Sequence, residues 1–491
     1  MVNMVKLREK GTLMQFNNIH LTNPYLQLPD ICFDRVEPTP LKDPYLIHWN
    51  PHALHLLEID PQSITQEEMI SWLNGTLKLQ GSDPFAMCYA GHQFGHFVPQ
   101  LGDGRAINIG TINQWHLQLK GAGITRYSRQ GDGRAVLRSS IREYLMSEAM
   151  HALGIESTRA LAIIGSKQRV YRERWESTAI VLRLSPSWIR FGTFEYFAHN
   201  NHPKALRALL DYAITESYPH LIDEPNRDLL FFTEVVGKTA RLMAQWQAIG
   251  FNHGVMNTDN MSIAGLTIDY GPFAFLDNYD IHYICNHTDQ RGRYSFGNQP
   301  RIGEWNLTAL MVALSPLISK SSMERVLGHY GRLYSREFLY QMGKKLGLAQ
   351  PQEQDIELIK SLLETMQELE IEYTLFFRTL SHYQEDRTEL LRLARYHKPL
   401  HQWLDAYDQR LKQEPHTPQE RHTQMLQTNP KYVLKNYMID EAIRAAQEDD
   451  FSVVDALFKI AKTPYDEHKE FERWAGATPQ KFKNQKLSCS S

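Results

Sequence analysis

Residues 249–277 constrain this chain more than any other stretch. Within them, His253-Gly254-Val255 is followed by four residues and then Asn260. Shortly after, Leu266-Thr267-Ile268 leads into Asp269-Tyr270-Gly271. An amide at Asn260 and a carboxylate at Asp269 are oxygen donors, the kind that hard divalent cations prefer. Whatever fold the chain adopts must hold these two loops where their side chains can act.

The spacing is that of a kinase catalytic loop, His-Arg-Asp-x4-Asn, followed by the Asp-Phe-Gly metal loop. One part departs from that pattern. The position of the kinase base is Val255, a side chain that cannot accept a proton, and the nearest carboxylate is Asp259, immediately before Asn260. The loops therefore suit holding metal and nucleotide better than ordinary phosphoryl transfer. Taken singly, 253–260 also reads as a polar turn and Asp269 as a strand-end cap. Both motifs in this order and this close point to a nucleotide site.

The rest of the chain fits such a fold. Its 491 residues, 42% hydrophobic and 22% charged, are those of a soluble globular protein with a large core. A net charge of -3 argues against a general nucleic-acid binder. Four cysteines make no disulfide scaffold and suit a reducing compartment. The longest apolar run, 307–314, is too short for a bilayer, and the N-terminus lacks a signal-like apolar segment. A cytoplasmic protein without membrane or nucleic-acid partners is expected. Patterned sequence begins only after Met14.

Residues 1–80 are punctuated by proline and read as an extended arm with short helices. Residues 81–202 read as a β-rich nucleotide-binding lobe, with strands at 106–109, 115–119 and 178–184. A helix should interrupt them, opened by a capping box at Ser140-x-x-Glu143 and closed by Gly154. Residues 203–470 read as a helical lobe carrying the metal and catalytic loops, with helices over 228–249, 303–318, 321–346, 353–380, 384–396, 401–412 and 431–447. Residues 471–491 form a tail containing Cys489. A β-rich half before an α-rich half, with 249–277 opening the second, is the order of a two-lobed, kinase-like α+β fold.

Other residues fit the same template. Gly91, Gly95, Gly102 and Gly104 precede the first of those strands; a glycine-rich loop lets backbone N–H groups approach phosphates, and Arg105 adds charge. The spacing is not Gly-x-Gly-x-x-Gly, and tight turns account for the glycines equally well. Lys120 ends its strand as the ATP-binding lysine does in kinases, and Glu143 lies on the next helix where its partner glutamate belongs, although a capping role would turn it away. Arg183, amid Ile180, Val181, Leu182 and Leu184, needs an anionic partner, a phosphate or a structural carboxylate, and Arg190 follows it. Cys88-x3-His92-x3-His96 has zinc-like spacing but no fourth ligand nearby.

With these residues in hand, the sequence resembles the selenoprotein O family (SelO, also called YdiU), protein adenylyltransferases with a pseudokinase fold. The resemblance runs from about Met14 to Ser491. Its most specific stretches are Tyr89-Ala-Gly-His-Gln-Phe-Gly95, Gln100-Leu-Gly-Asp-Gly-Arg105, Lys120-Gly-Ala-Gly, 127–138, Asn252–Asn260 and Thr267–Phe273.

The resemblance implies ATP bound in reverse, so that the α-phosphate rather than the γ-phosphate meets the acceptor. It implies that Gly102, Gly104, Arg105, Asp132 and Gly133 line the nucleotide, and that Lys120 contacts phosphate with Glu143 as its ion-pair partner. Arg183 and Arg190 would grip the outer phosphates. Asp259 would accept the proton, while Asn260 and Asp269 hold Mg²⁺ or Mn²⁺ with the nucleotide. The implied activity is AMP transfer from ATP to Ser, Thr or Tyr hydroxyls of proteins, with UTP and Mn²⁺ as a variant. A displaced phosphotransferase and a non-catalytic nucleotide-binding scaffold are the other readings. Many family members carry selenocysteine where this chain has Cys489; Cys285, in the segment where kinases carry their activation loop, is its candidate disulfide partner.

Overall fold

The computed structural model describes residues 13–383, 386–483 and 485–488, and the chain divides into two compact units. The first takes Met1–Met87, Asp103–Ser140 and Arg159–Pro186; the second takes Cys88–Gly102, Ile141–Thr158 and Ser187–Ser491.

The first unit is built on an eight-stranded sheet. From one edge to the other its strands are Phe33–Arg35, Phe85–Met87, Ala106–Ile112, Trp115–Lys120, Trp175–Ser185, Arg159–Tyr171 and Tyr45–Trp49, with Ala135–Val136 pairing Trp175–Ser185 off this path. Every pairing is antiparallel. The expected strands lie where they were read, each one to three residues longer at one or both ends. Arg159–Tyr171 was not expected. Its Ala160–Ile164 run is buried without alternation, so the period-two signal of a half-exposed strand is missing. The first 80 residues supply both edge strands and the helices Pro51–Leu56 and Gln66–Leu73, the second opened by a Thr65–Glu68 capping box. Leu54, Met69 and Leu73 join Ile107, Leu117, Leu119, Ile180 and Leu182 in one apolar core.

The second unit is mainly helical. Its longest helix, Arg227–Ile249, buries Phe231, Val235, Leu242, Met243 and Trp246 and is closed by Gly250 in the left-handed conformation, φ 76°. The chain then enters the short antiparallel pair Phe251–Asn252 and Ala274–Phe275, which brackets the loops of residues 253–273. A second core gathers Met342, Ile359, Leu362, Phe376, Phe377, Trp403 and Tyr407 from the later helices.

Several helices differ from expectation. The 321–346 span is two helices, Lys320–Leu327 and Tyr330–Lys345, separated at Gly328-His329. The 353–380 span is also two, because Glu370 turns left-handed at φ 53° and ends Asp355–Leu369 before Tyr373–Ser381 begins. The 303–318 and 401–412 expectations become Gln299–Leu314 and Lys398–Leu411; 384–396 and 431–447 shorten to Thr388–Arg392 and Asn436–Gln447. The helix expected to open at Ser140 instead spans Leu137–Ala152. Ala135–Val136 runs directly into it, so Ser140 and Glu143 are mid-helix residues and form no capping box. Among the described residues, no helix is long and apolar enough to cross a membrane.

Candidate active site

In the second unit, a buried histidine joins the two loops. His253 stacks on Trp246 with ring centroids 5.2 Å apart. Its Nδ1 accepts from the Val255 backbone N–H at 3.3 Å, and its Nε2 pairs with the Ile268 carbonyl at 3.0 Å. Accepting at Nδ1 requires the neutral ring with its proton on Nε2, and burial lowers the imidazole pKa in the same direction. One ring thus ties the loop before Asn260 to the segment entering Asp269. Asn260 Nδ2 donates to the Val255 carbonyl at 3.0 Å, which fixes the amide. Asp269 itself adopts φ 59°, a conformation unusual for a residue with a side chain.

Arg190 connects these loops. It precedes the helix Phe191–His199, and its Nη1 donates to the Asp259 carbonyl at 2.6 Å and to Asp269 Oδ2 at 2.5 Å. Its guanidinium lies 4.8 Å from the Tyr89 ring centroid. Sequence reading offered Arg190 as a phosphate clamp; the structure brings it against both aspartates of the candidate centre. Asp259 is buried, and its Oδ2 accepts from Gln93 Nε2 at 3.2 Å. Its Oδ1 has no hydrogen-bond partner. Burial pushes this carboxyl up to about 7, against the pull of Arg190. Gly91 lets the carboxylate approach, since a Cβ there would lie 2.6 Å from Asp259 Oδ1.

A carboxylate at Asp269 and an amide at Asn260 are oxygen donors of the kind that fits Mg²⁺ or Mn²⁺, and beside them the orphaned buried oxygen of Asp259 is left to accept a proton. Among the described residues, no three or more His, Cys, Asp or Glu gather as a metal cage, Cys88, His92 and His96 included. His92 instead pairs with Glu195.

In the first unit, two glycine-rich turns form one backbone platform. Gly123 N–H donates to the Gly133 carbonyl at 3.1 Å, and Gly121 N–H to the Arg105 carbonyl at 2.6 Å. Gly133 sits at φ 67°, where a Cβ would fall 2.0 Å from the Gly123 carbonyl oxygen, so only glycine fits. Gly104 is tight as well, its Cβ position 2.8 Å from the Tyr127 carbonyl oxygen. Gly102, at φ 106°, belongs to the second unit. Arg105 is exposed, and Lys120 is half-buried at the end of its strand. Asp132 is gripped by Arg172, whose Nη1 and Nη2 donate to its two oxygens at 2.8 and 2.7 Å. That hydrogen-bonded pairing holds the Asp132 pKa below the usual carboxylate value.

Arg183 lies in a polar ladder across three strands. Its Nη2 donates to Gln118 Oε1, and Gln118 Nε2 donates to Asn108 Oδ1 at 3.2 Å. Asp103 Oδ2 accepts from Asn108 Nδ2 at 3.2 Å, from Gln118 Nε2 at 3.4 Å and from the Met87 N–H at 3.0 Å. The anionic partner that a buried arginine requires is thus reached through Gln118. Register explains the alignment: Gln118 stands opposite both Asn108 and Arg183. Sequence reading gave no role to Gln93, Asp103, Gln118 or Arg172. Gln93 and Asp103 lie inside the quoted glycine-rich stretches; Gln118 and Arg172 carry no motif.

Glu143 is buried in its helix and belongs to the second unit, whereas Lys120 belongs to the first. Cys285 is buried, and its Sγ lies within hydrogen-bonding distance of two acceptors, Asn252 Oδ1 at 2.7 Å and the Pro272 carbonyl at 2.8 Å. The Leu487 N–H donates to the Cys285 carbonyl at 2.8 Å, so the tail passes beside this residue. Cys489 lies outside the described residues.

A family model described as "Protein adenylyltransferase SelO" matches residues 15–462. The protein nucleotidyltransferase YdiU of Myxococcus xanthus (strain DK1622) is 47% identical over 482 residues, covering 96% of this chain and 99% of its own. The YdiU proteins of Thioalkalivibrio sulfidiphilus (strain HL-EbGR7) and Thiobacillus denitrificans (strain ATCC 25259 / T1) are 44% and 46% identical, over 97% and 96% of this chain and 100% and 98% of theirs.

Proposed function

The chain belongs to the SelO family of protein adenylyltransferases, and from that premise we propose that it transfers AMP from ATP to a Ser, Thr or Tyr hydroxyl of a protein, releasing pyrophosphate. The observation that carries this reading is the second-unit cluster. Asp259 presents a buried oxygen without a partner beside Asn260 and Asp269, while Val255 stands where a kinase holds its base. The same placement supports a kinase-like, two-lobed architecture with the nucleotide reversed.

In this reading the acceptor hydroxyl oxygen forms a bond to the α-phosphorus, and the bond from that phosphorus to the bridging oxygen of pyrophosphate breaks. The hydroxyl proton passes to Asp259 Oδ1. Gln93 and the Arg190 contact at the Asp259 carbonyl hold that carboxylate in place. Asn260 and Asp269 would hold Mg²⁺ or Mn²⁺, which when bound offsets phosphate charge. The glycine platform, with Arg105, Lys120, Asp132 and Gly133, lines the nucleotide. Glu143 supports Lys120, and Arg183 and Arg190 hold the outer phosphates. UTP with Mn²⁺ is the variant substrate pair. The enzyme would act in the cytoplasm, and a Cys285–Cys489 disulfide would tie its tail beside residues 285–287.

Incubation with ATP labelled at the α- or, separately, the γ-phosphate tests the reading. Protein labelled from the α position only is expected. Label from γ only would replace it with a kinase, and label from neither with a nucleotide-binding scaffold. Val255→Asp is expected to leave γ-transfer absent.

A further inference from the structure

Apart from the centre just described, the second unit holds a cavity of about 570 Å³, a size typical of ligand sites. Three elements wall it: the hairpin formed by Gly91–Gln93 and His96–Val98, the helix Phe191–His199 and the helix Gln299–Leu314. Its walls are largely apolar and aromatic. The His92 ring centroid lies 5.0 Å from that of Phe97 and 5.1 Å from that of Trp305, and Phe97 lies 4.5 Å from His199. Arg293 stacks on Trp305 at 4.5 Å and steadies the indole. Val312, 59% exposed, stands at the mouth.

One carboxylate stands in this lining. Glu195 lines the cavity with a side chain only 4% exposed. Its Oε1 pairs with His92 Nδ1 at 2.5 Å, but its buried Oε2 has no hydrogen-bond partner. An interior carboxylate oxygen without a donor is costly, and a ligand N–H would supply what is missing. Aromatic faces around a carboxylate suit a planar cation, which can stack and donate at once.

The cavity also adjoins the candidate centre through the hairpin. His92 reaches Glu195, while the next residue, Gln93, donates to Asp259. The His92 backbone N–H donates to Thr258 Oγ1 at 2.6 Å, which fixes the hairpin to the loop that carries Asp259. A side chain seated in the cavity would therefore leave its flanking backbone close to the carboxylate that takes the proton.

We propose that this cavity is a specificity pocket for an arginine side chain of the acceptor polypeptide, its guanidinium donating to Glu195 Oε2 amid the rings of His92, Phe97, His199 and Trp305. The occupant rests on the transferase reading above; the cavity and its orphaned carboxylate do not.

The test uses the full-length protein and fluorescent peptides in which one arginine is stepped along a serine-containing Gly/Ala frame, with citrulline in its place as the neutral control. Fluorescence anisotropy should show at least one arginine peptide binding about tenfold or more tighter than its citrulline twin. Glu195→Gln should erase that difference. Val312→Arg, at an exposed position where folding is not at risk, should weaken the same peptide by a similar factor by adding bulk and like charge at the mouth. Equal binding of every arginine and citrulline pair would overturn the proposal. So would a Val312→Arg protein that binds as wild type does, or free arginine methyl ester binding as tightly as the best peptide. Self-labelling from α-labelled ATP, followed in parallel, separates the two readings. Discrimination without labelling sinks the transferase and keeps the pocket, whereas labelling without discrimination does the reverse.

Discussion

Two buried arginines, one in each unit, show how differently the same residue can be accommodated. In the sheet unit, Arg183 belongs to a ladder in which Gln118, Asn108 and Asp103 answer one another across neighbouring strands. In the helical unit, Arg190 bridges Asp259 and Asp269 and leaves one oxygen of Asp259 without a donor. The first arrangement answers Arg183 Nη2 with a side-chain amide of the sheet. The second keeps an unmet demand at the carboxylate of the candidate centre, which a ligand or a proton can answer. Burial alone therefore does not distinguish structural from functional polar groups; the position of the unmet group does.

The largest effect should come from Asp269→Ala. It removes the charged oxygen donor and should abolish transfer and shrink the thermal shift given by ATP with Mg²⁺. Full activity in this variant would break the contrast at its open end. Next, Asp259→Asn should lower turnover about 10²–10⁴-fold with ATP affinity little changed. Because it removes a buried carboxylate with an unmet oxygen, its melting temperature should equal or exceed that of the wild type. A marked loss of stability would show that Asp259 belongs to a closed network after all.

Arg183→Met should act oppositely, through the fold. Breaking a buried ionic network costs about 3–5 kcal/mol, read by denaturant unfolding. If Arg183 also reaches the outer phosphates, the folded variant should lose affinity for ATP and keep it for adenosine; equal binding of both would confine it to the ladder. The smallest effect is expected from Arg172→Ala. Asp132 is 38% exposed, so its pair with Arg172 should contribute under about 1 kcal/mol. The pairing depresses the carboxyl pKa in the fold, so its contribution is present above the ordinary value of 3.8 and is lost as pH falls through the folded value. The stability gap between wild type and Arg172→Ala should therefore be flat near neutrality and close in acid.

Sequence pattern made part of this legible, for definite reasons. Trp115–Lys120 alternates apolar and polar residues, Trp175–Ser185 is β-branched and apolar enough to be seen, and the stripe of Arg227–Ile249 is long enough to outweigh local noise. Arg159–Tyr171 escaped because a strand buried on both faces shows no alternation. Asp259, Asn260 and Asp269 stand out in the sequence because their spacing is local. Arg190 was found by its residue type and resemblance, but its pairing with Asp269, 79 positions away, is a tertiary fact. The Arg172–Asp132 grip and the Gln118 ladder depend on hairpin geometry and strand register, which no spacing in the sequence encodes.

The discontinuity of the two units has a consequence for how this protein is made. Each unit is assembled from three separated stretches, so no contiguous fragment of the chain contains all of one without part of the other. During synthesis, residues 88–102 emerge long before their partners: His92 waits 103 positions for Glu195, and Gln93 waits 166 for Asp259. The sheet cannot be completed until residue 185 has left the ribosome, since Trp175–Ser185 is one of its inner strands. A nascent chain therefore carries unpaired strand edges through much of its translation, a state prone to aggregation and in need of chaperones. A fragment expressed from residue 187 onward would lack the hairpin that steadies Asp259, and should be recovered as inclusion bodies rather than as a folded catalytic half.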